Sequence, residues 1–109
     1  MNYKKVVKRF TEYEGESFSQ AVSKKGGGAW EDNETAVYSL IDTEGVVQTT
    51  GNLIRSEDKK SLGFLMPSSV TAGLSGKHVI FVDMLDTDNT DVRNVIAEYA
   101  IEYTSRKAS

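Results

Sequence analysis

The 109-residue chain has no cysteine, one proline and one histidine. Without cysteine there is no disulfide framework and no thiol chemistry. That composition suits folding in a reducing cytoplasm. The lone histidine, His78, has no nucleophile and orienting group patterned around it, so no catalytic triad is legible. Long apolar runs are missing as well, and no segment has the length of a membrane-spanning helix. The basic start, Met1–Phe10, has no apolar stretch behind it and does not read as a secretory signal. Excess positive charge is missing too. Thirteen Lys and Arg face 16 Asp and Glu, and the net charge of −3 argues against general nucleic-acid binding.

What remains is an ordinary globular composition, 39% hydrophobic and 27% charged. The length suits a single domain with one core. Charge is unevenly placed. Lys4, Lys5, Lys8 and Arg9 fall within the first nine residues with no acid among them, and Arg106 and Lys107 make the end basic again. One reading is two solvated ends, a basic N-terminal arm over about residues 1–9 and a short tail over 104–109. The other is a basic arm that grips an acidic partner surface. Val6, Val7 and Phe10 are interleaved with these cations, so the arm offers both charge and apolar area. Such an arm can add Val6–Phe10 as an extra strand to a partner's sheet.

The pattern along the chain is one of short strands. Val6–Tyr13 alternates, breaks at Glu14-Gly15-Glu16, and resumes over Ser17–Val22. A break at glycine marks a first strand that bulges or switches sheets. Lys24–Asn33, with three consecutive glycines, reads as a loop because glycine loses the most backbone entropy on ordering. Thr35–Ile41 and Val46–Ile54 flank the hairpin turn signal Asp42-Thr-Glu-Gly45. Leu62–Met66 is a short strand ended by Pro67, and Ser68–Gly73 fits one helical turn. The most prominent feature is the C-terminal pair His78–Leu85 and Val92–Tyr103 around the polar turn Asp86–Asp91. Val92–Tyr103 fits both the strand and the helix period. Its content of Val, Ile and Tyr favours strand. Val95, Ala97, Tyr99, Ile101 and Tyr103 then share a face that looks like core. Seven to eight strands with frequent turns indicate an all-β antiparallel sandwich, immunoglobulin-like or jelly-roll.

Candidate chemistry is sparse. Asp83, Asp86, Asp88 and Asp91 cluster near the last turn, but Asp86–Asp91 lacks the glycine and the distal glutamate of a calcium loop. No metal and no other cofactor is expected. Gly26–Gly28 lacks the Lys-Ser/Thr and helix start of a phosphate-binding loop. Trp30, beside these glycines, is either a core plug or an interface anchor.

In order along the chain stand Gly15-Glu-Ser-Phe18, Ile41-Asp-Thr-Glu-Gly45, Leu74-Ser-Gly76-Lys77-His78 and the closing Arg93-Asn-Val-Ile-Ala-Glu-Tyr-Ala-Ile-Glu-Tyr103. From about Phe10 to Tyr103 this cadence resembles the small immunoglobulin-like or jelly-roll sandwich proteins of tailed-bacteriophage virions. That group includes capsid decoration proteins and the adaptor domains of tails and baseplates. The Asp-Leu-Thr-Gly segment common in baseplate-type domains is replaced by Lys24–Asn33, which puts the capsid version ahead. The resemblance implies a non-enzymatic structural protein, located in the virion and carried as a homo-oligomer on the particle. Its implied partner is the major capsid protein, or alternatively a tail or baseplate protein. Neither nucleic acid nor membrane is expected as a partner. The expected grips are Lys4, Lys5, Val6, Val7, Lys8, Arg9, Phe10 and Trp30. A carbohydrate-binding sandwich is the rival from another class.

Overall fold

The computed structural model describes residues 6–24, 26–86 and 89–105. Eight strands and one helical turn follow in order. They are β1 (Val6–Tyr13), β2 (Phe18–Ser23), β3 (Glu34–Asp42), β4 (Val47–Asn52), β5 (Ile54–Arg55), β6 (Ser61–Met66), α1 (Ser68–Thr71), β7 (Gly76–Asp86) and β8 (Asn89–Thr104). Two sheets form, a five-stranded one in the order β1-β8-β7-β3-β4 and a three-stranded one in the order β2-β6-β5. All pairings are antiparallel except β1 with β8, which is parallel. Val92–Tyr103 lies within β8, so the run whose period fits both forms is a strand.

The break at Gly15 is a change of sheet. Gly15 has φ +79°, in the left-handed region that glycine enters without a side-chain penalty. β1 therefore runs in the larger sheet and β2 in the smaller. The corner is held from across the sandwich. The Gly15 amide donates to the Thr71 carbonyl at 3.2 Å, and the buried Thr71 hydroxyl donates to the Glu16 carbonyl at 2.8 Å. The single turn of α1 thus serves as a brace for the first crossover.

Between the sheets lies a core of alternating residues. β3 sends in Ala36, Tyr38 and Leu40, β6 sends in Leu62, Phe64 and Met66, and β7 sends in Ile80, Val82 and Met84. Phe10, Phe18, Phe64 and Tyr99 form a ring cluster with centroid separations of 5.0 to 6.2 Å, and Tyr38 stacks on Phe64 at 4.5 Å. On β8, Ala97, Tyr99, Ile101 and Tyr103 face inward as expected. Val95 does not share that face. The register between β7 and β8 shifts between Val82 and Asp83, opposite Ala97 and Val95. The extra residue of this bulge, Ile96, is buried, and the alternation beyond it changes phase.

Residues 6–9 of the expected arm are part of a strand. Val6–Tyr13 pairs residue by residue with Ala97–Thr104. Its strand-forming residues find their partner within the molecule, which satisfies backbone groups that would otherwise face water or a foreign sheet. Lys4 and Lys5 lie outside the described residues, as do Thr87 and Asp88 in the acidic turn and Arg106 and Lys107 in the tail.

Candidate interaction surfaces

The expected grips fall in two different environments. On β1, Val7, Arg9, Thr11 and Tyr13 alternate with Phe10 and Glu12 and line up beside Glu98, Ala100, Glu102 and Thr104 of β8. Val7 is 58% exposed and Tyr13 is 52% exposed, and Lys8 and Arg9 are exposed as well. Phe10 points the other way and packs against the core, 5.0 Å from the Phe18 ring. It supports the strand from the core side, is half-buried, and still lines the cleft over β1. A shallow cleft of about 380 Å³ runs over the outer side of β1, β8 and β7, lined by Arg9, Thr11, Lys77, Ala100 and Glu102 among others. Two cations and one carboxylate on this sheet surface give an ionic contact area, with His78 also at its lining.

Trp30 is a core residue. It is 2% exposed, and its amide donates to the Lys59 carbonyl at 2.7 Å. The Lys24 ammonium lies 5.8 Å from the centroid of its ring and 2.6 Å from Glu34 Oε1. The Glu34 carboxylate also accepts the Glu31 amide at 2.8 Å. The Arg55 guanidinium Nη2 donates to the carbonyls of Glu31 and Glu34, each at 2.9 Å. Residues 30–34 are thus tied to β5 and to the turn before β6. Gly26 and Gly27, with φ +87° and +79°, let the chain turn sharply enough to deliver the indole inward. Of the two readings of Trp30, the core plug is the one the fold adopts. Burying so large an apolar surface outweighs holding it ready for a partner.

His78 is buried. Its ring stands edge-on to Tyr103 at 5.4 Å, with Nδ1 3.3 Å from the Gly76 carbonyl. No serine or carboxylate of a catalytic set joins it in these contacts. Among the described residues no group of three or more His, Asp or Glu is placed to hold a metal ion. Tyr103 is sealed in the core and burial, followed by the nearby Glu12 charge, pushes its hydroxyl up to about 12. Burial also raises Tyr99.

Two surfaces were not legible as sites in the sequence. Ile54 is 76% exposed and Leu65 is 60% exposed. Both lie on the outer side of the small sheet around an open groove of about 660 Å³ that also includes Ala21 and Gly63. Val46, just before β4, and Val47, its first residue, are 53% and 52% exposed. The available signal was the adjacent pair Val46-Val47, since neighbours in a strand cannot both face one core.

The strand order defines the class. β8-β7-β3 and β2-β6-β5 reproduce the G-F-C and B-E-D orders of an immunoglobulin-like β-sandwich, with β4 extending the first sheet. No protein-family model matches the sequence. No curated protein matches it either. Among solved structures, the chain is similar to CopC from Methylosinus trichosporium OB3b. The two share 16% identity at a TM-score of 0.52, covering 99% of this chain and 91% of that one. It is also similar to the fibronectin(III)-like modules of Clostridium thermocellum CbhA, with 14% identity, a TM-score of 0.49 and coverage of 98% and 94%. At 16% identity the likeness to CopC is one of fold alone.

Proposed function

We propose that this chain is a non-enzymatic structural protein of a tailed-phage virion that binds and stabilises the outer capsid lattice. The observation that carries this reading is the surface of β1. Val7 is 58% exposed, with the exposed cations Lys8 and Arg9 following it on a strand fixed in the sheet. Apolar area beside fixed positive charge suits an acidic, partly apolar protein surface. One such exposed charge pair contributes only about 0–1 kcal/mol. Repetition around a symmetric lattice multiplies weak terms into firm attachment. A tail or baseplate adaptor would use the same surface and is the second reading. The carbohydrate-binding alternative has less support. Tyr99 and Tyr103 are buried, and Tyr13 is the aromatic residue that stands more than half exposed among those described.

The test is co-sedimentation of the purified chain with empty phage capsids, with tails and with polysaccharide. Capsid binding that is lost in Lys8→Glu/Arg9→Glu and kept in the folded wild type is the expected result. Binding to tails alone selects the adaptor reading. Binding to polysaccharide alone, or hydrolysis of it, overturns both virion readings. Deleting Met1–Arg9 is a poor version of this experiment, because it also strips Val6–Arg9 from their pairing with Ala97–Ala100.

A further inference from the structure

We infer that β4 is the site of a two-fold self-association, in which two copies join their larger sheets edge to edge. β4 ends the order β1-β8-β7-β3-β4, so one side of it pairs with β3 and, among the described residues, the other has no strand beside it. An open edge presents unpaired amides and carbonyls to any extended chain. Edges are ordinarily guarded by lysine, proline or a bulge. The opposite edge, β1, carries Lys8 and Arg9. Val46–Ile54 carries no charge and no proline. Its one irregularity is the register shift between Leu40 and Ile41, opposite Thr49 and Val47, and Thr49–Asn52 beyond it are regular.

The occupant follows from charge and symmetry. Two β1 edges set against each other would oppose lysine and arginine to their own kind. Two β4 edges oppose only Val, Gln, Thr, Gly and Asn. A two-fold axis perpendicular to the joined sheet keeps its two faces distinct, so the axis must pass through a residue and not between two residues. With the axis at Thr50, Thr50 faces its own copy and Thr49 faces Gly51, all within the regular stretch Thr49–Asn52. Thr–Thr pairs and β-branched pairs are favourable across antiparallel strands. Val46 and Val47, each more than half exposed, then gain cover from the second copy. The product is a continuous ten-stranded sheet, an isologous contact that closes on itself.

The full chain is examined by sedimentation equilibrium over a wide concentration range, alone and as Thr50→Lys and Thr50→Glu. The wild type is expected to dimerise reversibly. Each variant is expected to be monomeric, with its dissociation constant raised at least about tenfold, since like charges meet at the axis. An equimolar mixture of the two variants is expected to recover dimer as a heterodimer. Far-ultraviolet spectra and melting of the variants report that the domain remains folded. A wild type that stays monomeric to about 1 mM, a range where the Kd of a millimolar contact is read, overturns the inference. So does a mixture that recovers nothing. A monomeric wild type whose particle binding is lost in Thr50→Lys assigns the edge to a foreign strand and also overturns it.

Discussion

Gly51→Ala should destabilise the domain, and should do so only while Tyr38 keeps its ring. The two residues are directly paired between β3 and β4. A methyl group built on Gly51 would lie 2.6 Å from Tyr38 Cε1, 2.9 Å from Cζ and 2.9 Å from the hydroxyl. The ring cannot swing away freely, because it is stacked on Phe64 at 4.5 Å and is only 7% exposed. Overpacking of this kind costs about 1–3 kcal/mol. Against it stands the gain of roughly 0.5–1 kcal/mol from replacing a strand glycine by alanine. The net expectation is a loss of up to about 2.5 kcal/mol, centred near about 1 kcal/mol and visible against the roughly 5–15 kcal/mol available to a domain. Tyr38→Val removes the ring and keeps a strand-forming residue, at a large-to-small cost of about 2–5 kcal/mol. In that background Gly51→Ala should become stabilising by about 0.5–1 kcal/mol. The assay is urea unfolding followed by the fluorescence of Trp30, the only tryptophan and a buried one. If Gly51→Ala stabilises the wild type, or if the sign is the same in both backgrounds, the ring-over-glycine packing is not what shapes β4.

Two further outcomes follow from the core. Tyr103 titrates at about 12 in the folded chain against 10.0 for a free tyrosine, so the folded state prefers its protonated form. The associated stability is present below pH 10 and disappears as the pH rises through 12. A shift of this size corresponds to on the order of 2 kcal/mol. Unfolding curves between pH 9 and about 12 should show this fall in the wild type and lose it in Tyr103→Phe. At neutral pH that variant should be as stable as the parent or more so, because the Tyr103 hydroxyl has no hydrogen-bond partner among the described residues. A clear loss of stability would mean the hydroxyl is bonded. Tyr99→Ala and Ile101→Ala each empty a site that is 1% exposed and should cost about 2–5 kcal/mol. Near-parental melting of both would show that this face of β8 is not the core.

Much of the strand plan was legible because alternation is a local property. The expected bounds of Val6–Tyr13 coincide with β1, and those of Leu62–Met66 and Thr35–Ile41 fall within a residue of β6 and β3. The break at Gly15 marked a real change of sheet. What the sequence could not give was which strands meet. Val6–Phe10 looks the same whether its partner is a foreign sheet or β8, 91 positions away in register. The fate of Trp30 depended on Arg55, Lys59 and Lys24, which alternation does not connect to it. Val46–Ile54 read as one run with Gly51 as its candidate break, yet the chain leaves the large sheet at Leu53, whose amide donates to the Ala36 carbonyl, and enters the small one. The exposed pair Ile54 and Leu65 escaped notice because an apolar residue in a strand is by default assigned inward.

The parallel pairing of β1 with β8 also sets how the domain bears mechanical load. Val6 lies opposite Ala97 and Tyr13 opposite Thr104, so the outer end of β1 and the outer end of β8 are at opposite ends of the pair. Tension applied through residues 6 and 104 acts along strands about 23 Å in length, at roughly 3.3 Å per residue. It slides β1 against β8 and strains their ladder all at once, whereas an antiparallel terminal pair pulled from its open end unzips one bond at a time. A sandwich closed in this way is stiff along its strands.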